Sequence, residues 1–186
     1  SFRRTTRANW MVDTETGAGH LLARVIVNRL WHHHFGRGIV SSTNDFGIQG
    51  QAPTHPGLLD WLALQLIAND WSLKHIHSLI LSSYTYQQSS DSHEANALAD
   101  PENAYFWRFS PRRLEAEAIR DSILQATAQL DETMFGKGTL DESMRRRSIY
   151  FTVKRSKLVP MLQVFDVPEP LVSQGQRPTT TVAPQA

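Results

Sequence analysis

The chain has 186 residues, 40% of them hydrophobic, and 19 basic residues nearly cancel 18 acidic ones. That apolar share suffices for one packed domain, and the balanced charge gives no global argument for nucleic acid or for a membrane surface. The absence of cysteine excludes disulfides, thiolate metal sites, cysteine nucleophiles and c-type haem attachment in this segment, and no apolar run approaches the ~18–20 residues of a membrane span.

The opening residues, Ser1-Phe2-Arg3-Arg4-Thr5-Thr6, lack the apolar core of a signal peptide, and residues 1–20 read as a lead-in. The first predicted helix is Leu21–Phe35. Its stripe is Leu22, Ile26, Arg29/Leu30 and His33, widened by Val25 and Trp31, and Gly36 and Gly38 end it. A long loop then runs from Gly36 to Pro53. Loops beyond about 12–15 residues in compact domains are commonly functional or disordered. This one carries Ile39, Val40, Phe46 and Ile48, which predicts order.

A second helix is predicted to start at Thr54-His55-Pro56, with Thr54 as cap and Pro in the first turn. Leu58, Leu59, Trp61, Leu62 and Leu66 form its buried face, and Asn69-Asp70 ends it. Ser72 caps a third helix carrying Leu73, Ile76, Leu79/Ile80 and Tyr84. Gln87–Asn103 reads as a polar surface linker closed by Asp100-Pro101-Glu102-Asn103. After the apolar burst Tyr105–Phe109, Ser110-Pro111 is predicted to open the best-marked helix, with Ala116, Ile119, Ile123, Ala126 and Leu130 on one face. Gly136 and Gly138 interrupt. Ser148–Val153 alternates like a half-buried strand, Pro160–Phe165 reads as a short helix, and the chain beyond Asp166 as extended. The predicted class is mainly α, an irregular multi-helix domain with a long ordered loop and at most a small β element.

Few residues form a chemical constellation. His32, His33 and His34 diverge by about 100° each on a helix, so at most one can join a given site; His75 and His77 also diverge. The reading is surface or core-edge histidines, with a metal site built from distant histidines as the alternative and no metal ligands assigned. His55 stands where the long loop meets a helix N-terminus, whose dipole favours a neutral imidazole. Asp45 and Asp60 are its candidate partners in catalysis, against the alternative that His55 holds the loop by hydrogen bonds. Arg112-Arg113-Leu114-Glu115-Ala116-Glu117-Ala118-Ile119-Arg120-Asp121 suggests a solvated face with Arg113–Glu117 and Glu117–Arg120 pairs. Arg112 and Arg113, beside Tyr105, Phe106 and Trp107, could alternatively grip carboxylate or sulfate groups. From Lys137 to Lys157, seven basic residues including Arg145, Arg146 and Arg147 stand against Asp141 and Glu142, a local net of +5. Such a face suits an anionic polymer. No nucleic-acid module, nucleophile elbow or phosphate-binding glycine loop is present.

Several motifs occur in order: Ala23-Arg24-Val25-Ile26-Val27-Asn28-Arg29-Leu30-Trp31, His34-Phe35-Gly36-Arg37-Gly38-Ile39-Val40, Asn44-Asp45-Phe46-Gly47, His55-Pro56 with Leu58-Leu59-Asp60-Trp61-Leu62, Trp71-Ser72-Leu73-Lys74, Tyr84 with Tyr86-Gln87-Gln88-Ser89-Ser90, the Arg112–Asp121 segment, Arg147-Ser148-Ile149-Tyr150, Phe165-Asp166, and Thr180-Thr181-Val182-Ala183-Pro184-Gln185-Ala186. Together they resemble the planctomycete PSD-type domain, the domain of unknown function 1553. The resemblance implies no established activity. It implies a module of a large exported protein, C-terminal to a companion domain and often to a c-type cytochrome-like or carbohydrate-binding module, hence an extracytoplasmic location. Any haem would belong to other domains of the same polypeptide; no cofactor is implied in this segment. Two departures stand out: Gly57 replaces the usual Glu, and no cysteine stands near Ser173-Gln174. The family pattern continues past Ala186, so the expectation is a lead-in over 1–20, a helical domain over 21–165 and an extended segment over 166–186 of a truncated domain.

The leading expectation is therefore a scaffolding or binding module that engages anionic polysaccharide through Arg112, Arg113 and the Arg145–Lys157 stretch with Arg145, Arg146 and Arg147, while Asn28 and Arg29 are ligand-binding candidates that would orient substrate in an enzyme. One alternative is a polysaccharide-acting enzyme using His55, Asp45 and Asp60, whose carboxylates would need about 5–10 Å of separation for glycosidic cleavage. Another is an accessory to a c-type cytochrome, although no haem ligation pattern is present.

Overall fold

A computed structural model describes residues 2–172, 174–177 and 180. The described residues form eight α-helices, one 3-10 turn and three isolated β-bridges, with no strand longer than a bridge. The protein is mainly α. The chain divides into two compact units, Ser1–Arg112 and Arg113–Ala186.

In the first unit, α1 (Phe2–Val12) occupies the expected lead-in and α2 spans Gly19–Phe35. The buried stripe of α2 is Ala23, Val27, Trp31 and Phe35, at successive four-residue steps. This is not the predicted stripe: Arg29 and His33 are exposed, and Leu22 and Ile26 are half-buried. Apolar residues occur on more than one side of α2, so its neighbours, not its own periodicity, select the buried face. Those neighbours are α3 (Pro56–Ala68), through Leu59, Leu62, Ala63 and Leu66, and α4 (Leu73–Leu81), through Ile76 and Ile80.

Gly36 takes the left-handed conformation, φ 78°, and its N–H closes α2 on the His32 carbonyl. At α3 the cap differs from the prediction. His55 is the N-cap residue and makes no side-chain cap bond. The Thr54 hydroxyl instead reaches the Ile39 carbonyl at 3.3 Å, because that carbonyl also accepts the Thr54 amide at 3.0 Å and holds the loop exit there. Trp61, expected inside, is 47% exposed; α3 is apolar on all sides and only one side meets the core.

Ser72 caps α4 as expected, accepting from the His75 amide at 3.3 Å. The helix stops before Tyr84. Ser82 and Ser83 turn their hydroxyls back onto the Ser78 and Ile80 carbonyls, and Ser83 then caps the separate turn α5 (Tyr84–Gln87). The expected linker contains α6 (Glu94–Ala99). It is followed by an ordered loop in which the Asp100 carboxylate accepts the amides of Ala104 and Tyr105, each at 2.9 Å. Buried Asn103 donates to the Arg108 carbonyl and to the Ser110 hydroxyl, both at 2.8 Å. The loop carries Phe106 into the core, its ring edge-on to Trp31 at 5.3 Å.

The second unit has a much smaller core: Ala116, Val159 and Leu162, with Phe151, Met161, Phe165 and Val167 packed around them. Helix α7 is Ala116–Ala126. It begins later than Ser110-Pro111 implied, since Ser110 serves the Asn103 bond of the first unit. It ends before Leu130, where the Thr127 hydroxyl bonds the Ile123 carbonyl at 2.9 Å. Of its predicted stripe only Ala116 is buried, and Ile123 is 56% exposed. The predicted strand over Ser148–Val153 is instead a 3-10 turn, Ser148–Tyr150, followed by a single bridge from Phe151 to Thr139. Val153 stays 78% exposed, so the alternation has no sheet face to bury. Helix α8 covers Pro160–Val164, close to the prediction. Of the expected extended segment, residues 173, 178–179 and 181–186 lie outside the described residues.

Candidate functional site

The long loop is fastened at its base by Asn28. This side chain is fully buried on α2, and its amide donates to the Val40 carbonyl at 3.0 Å and accepts the Val40 N–H at 2.9 Å. Gly38 makes the close approach possible: a Cβ there would lie 2.5 Å from the Val40 oxygen and 2.9 Å from both amide atoms of Asn28. Farther out, Asp45 accepts the Gly47 amide at 2.8 Å. The Ser42 hydroxyl donates to the Asp45 carbonyl at 2.7 Å and accepts the Gln51 amide at 2.8 Å. Backbone polar groups that would otherwise demand water are thus paired locally.

The three catalytic candidates take three different partners. His55 Nδ1 lies 2.9 Å from the Thr54 hydroxyl, with its ring 5.7 Å from that of Tyr105 and 5.9 Å from that of Phe106. Asp45 serves the turn just described. Asp60 pairs with Arg24 at 3.1 Å. Asn28 has both amide atoms committed to the loop, and Arg29 is exposed with no acidic partner among the described residues. The Arg112 guanidinium donates to the His33 carbonyl, placing a cation on the last turn of α2, where the helix dipole favours it.

The charged segment entering α7 is organised differently from its i, i+4 reading. Glu117 pairs with Arg177 at 2.9 Å, and Arg177 also reaches Glu115 at 3.3 Å and the Asp166 carbonyl at 2.8 Å. Arg113 lies 3.8 Å from Asp166, over the Phe165 ring. The Asp166 carboxylate accepts the Thr180 amide and hydroxyl, at 2.8 and 2.7 Å. Arg120 turns inward, is 7% exposed, and donates to the Arg146 carbonyl at 3.0 Å and the Ser148 hydroxyl at 3.1 Å. Asp121 accepts the Ser148 amide at 2.8 Å and hydroxyl at 2.7 Å. Sequence reasoning assigns no site role to Ser148, Asp166 or Arg177, and it reads Arg120 as a partner of Glu117 on a solvated face. Arg120 stands four residues after buried Ala116, and that same-face spacing was the available signal.

The basic run separates into two groups. Arg146 is structural: its guanidinium donates to the Thr133 carbonyl at 3.1 Å and to the Phe135 carbonyl, and stacks 3.5 Å over the Tyr150 ring. Arg147 lies 3.9 Å from Asp121. Lys137, Arg145, Lys154, Arg155 and Lys157 are exposed, and none has an acidic partner among the described residues.

Of the histidines, His34 on α2 and His77 on α4 meet, Nε2 to Nδ1, at 2.8 Å. Burial first, then the positive charge of His77, Arg112 and His33, pushes the His34 imidazole below its ordinary value. Burial likewise lowers His32, helped by His33, Arg112 and Arg29. Among the described residues no three or more His, Asp or Glu side chains converge as a metal cage, and no helix is long and apolar enough to cross a membrane.

No curated protein and no solved structure matches the chain. Residues 3–186, nearly the whole length, match the family model described as PSD1, a protein of unknown function (DUF1553), and the chain belongs to that family.

Proposed function

We propose that this chain is a binding module for an anionic polymer, with acidic or sulfated polysaccharide as the partner, and that it contacts the polymer through the exposed cations of the Arg113–Ala186 unit. One observation carries the reading: Lys137, Arg145, Lys154, Arg155 and Lys157 are exposed and unpaired with acid among the described residues, within a stretch of local net charge +5. Unpaired surface cations raise the local concentration of a polyanion and release its counterions on contact. Arg146 and Arg147 are left to the fold, which narrows the expected contact set. Arg29, Arg112 and Arg113 lie outside it. A module of a larger exported polypeptide, a planctomycete source and an extracytoplasmic location are supported by the motif resemblance.

The separate partners of His55, Asp45 and Asp60, namely the Thr54 hydroxyl, the Gly47 amide and the Arg24 guanidinium, favour structural roles over an enzyme reading. The test is retention on a sulfated-polysaccharide column in a salt gradient. The unaltered protein should be retained at low salt. A variant carrying Lys137→Glu, Arg145→Glu, Lys154→Glu and Lys157→Glu should elute without retention while keeping its melting temperature. Passage of the unaltered protein straight through, or equal retention of the variant, defeats the proposal. Equally effective elution by duplex DNA would reduce it to unselective charge attraction.

A further inference from the structure

Consecutive helical residues point about 100° apart, so one histidine of the His32–His34 run can face a neighbouring helix, and that one is His34. Its Nε2 lies 2.8 Å from His77 Nδ1, joining α2 to α4. The two rings stand edge to face with centroids 5.1 Å apart, and the Tyr86 ring is 5.6 Å from His34. At hydrogen-bond distance two neutral imidazoles share a single N–H: one ring donates and the other presents its lone pair. Both residues are half-buried, so solvent reaches the pair, and among the described residues no carboxylate bonds to either ring. Zn2+ holds imidazole nitrogens at about 2.0–2.1 Å, so two ligands of one ion sit about 2.9–3.4 Å apart for angles from square to tetrahedral. The observed 2.8 Å lies just below the lower end of that range, within reach of a small ring rotation.

We propose that His34 and His77 form a two-ligand site for a borderline divalent cation (Zn2+, Ni2+ or Cu2+), in which the ion replaces the shared proton and clips α2 to α4. Water completes the coordination. The donating ring shifts its proton to its other nitrogen, so each imidazole stays neutral and no net proton is released. The burial and neighbouring charge around His34 keep that imidazole unprotonated and available near neutral pH. Arg112 nearby weakens the attraction for a cation, and two protein ligands give modest affinity, so Cu2+ should bind best of the three. This site is independent of the anionic-polymer reading and lies in the other unit.

The experiment is thermal unfolding of the full chain near neutral pH with increasing ZnCl2, for the unaltered protein, His34→Gln and His77→Gln. The unaltered protein should gain about 3–6 °C at tenfold the dissociation constant, and both variants should gain nothing. Electron paramagnetic resonance of the Cu2+ complex should show coupling to two nitrogens in the unaltered protein and to one in either variant. No rise in melting temperature, a rise retained in either variant, or a single-nitrogen Cu2+ spectrum of the unaltered protein overturns the assignment. The last readout needs no substitution, so it decides the matter even where a variant folds badly.

Discussion

A single imidazole links chemistry to stability in this chain. His34 faces His77 from α4 and Tyr86 from α5, with His33 and Arg112 as the cationic neighbours on its own side. All the charges that act on it are positive, and burial adds to their effect, so its folded-state pKa lies below the ordinary 6.5. Between the depressed value and 6.5 the unfolded chain binds more protons than the folded one. Stability should therefore be full above about pH 6.5 and fall as pH drops below it. Urea unfolding at neutral pH and one unit below the imidazole value should show a lower midpoint in acid, and His34→Gln should flatten part of that slope. His32, lowered by burial and then by His33, Arg112 and Arg29, acts in the same direction. A midpoint that rises in acid would mean these imidazoles do not govern stability in this range.

Among the elements, α3 offers the cleanest test. Gly57 is its second residue, and a Cβ there meets nothing within 4 Å. The helix has no acidic residue in its first turn and no side-chain cap. With His55 at the cap, a glutamate at 57 could not close a capping box with Thr54. It would still replace a poor helix former and set a negative charge near the positive end of the dipole. Gly57→Glu should stabilise the protein by about 1–1.5 kcal/mol, read as a higher denaturation midpoint; an unchanged or lowered midpoint would show that this end is limited by something other than propensity and charge. The same element shows what the sequence could reveal. The existence of α2, α3, α4, α7 and α8 was legible from apolar spacing, and Gly36 and Ser72 from their chemistry. The buried face of α2 and the exposure of Trp61 were not, because those depend on which neighbour arrives, and helices apolar on several sides do not encode that. Ser148–Val153 failed for a related reason: period-two alternation marks a strand only when a sheet is there to receive one face. At the candidate site, the role of Asn28 as a loop clamp requires Val40, twelve residues away, and no local pattern reports such a contact.

At the scale of the whole molecule the two units are held by different forces. Among the described residues, thirteen buried hydrophobic side chains form the core of Ser1–Arg112, whereas three form that of Arg113–Ala186. The second unit relies on charge-assisted bonds centred on Arg120, Arg146 and Arg177. Apolar burial contributes about 25 cal/mol per Å2 without regard to direction. Networks of polar bonds contribute modest net energy and require every partner in place. Amide hydrogen exchange should therefore be slowest in α2 and α3 and faster throughout α7 and α8, by a factor of roughly ten or more if the stabilities differ by about 1.4 kcal/mol. Equal protection in α7 and α3 would show that the arginine network stabilises as strongly as the larger core. Mass spectrometry after timed deuterium exposure distinguishes the two outcomes.

The clasp at the base of the long loop also governs which descendants of this sequence are viable. Positions 28 and 38 are constrained unequally. A side chain at Gly38 collides with a main-chain oxygen, which is present whatever residue stands at 28. Position 28 loses two hydrogen bonds when it changes, a graded cost that other parts of the chain can offset. Across divergent relatives, replacements should accumulate at Asn28 while the glycine stays fixed. A lineage that does exchange that glycine should also have rebuilt the path of the loop between Phe35 and Thr54.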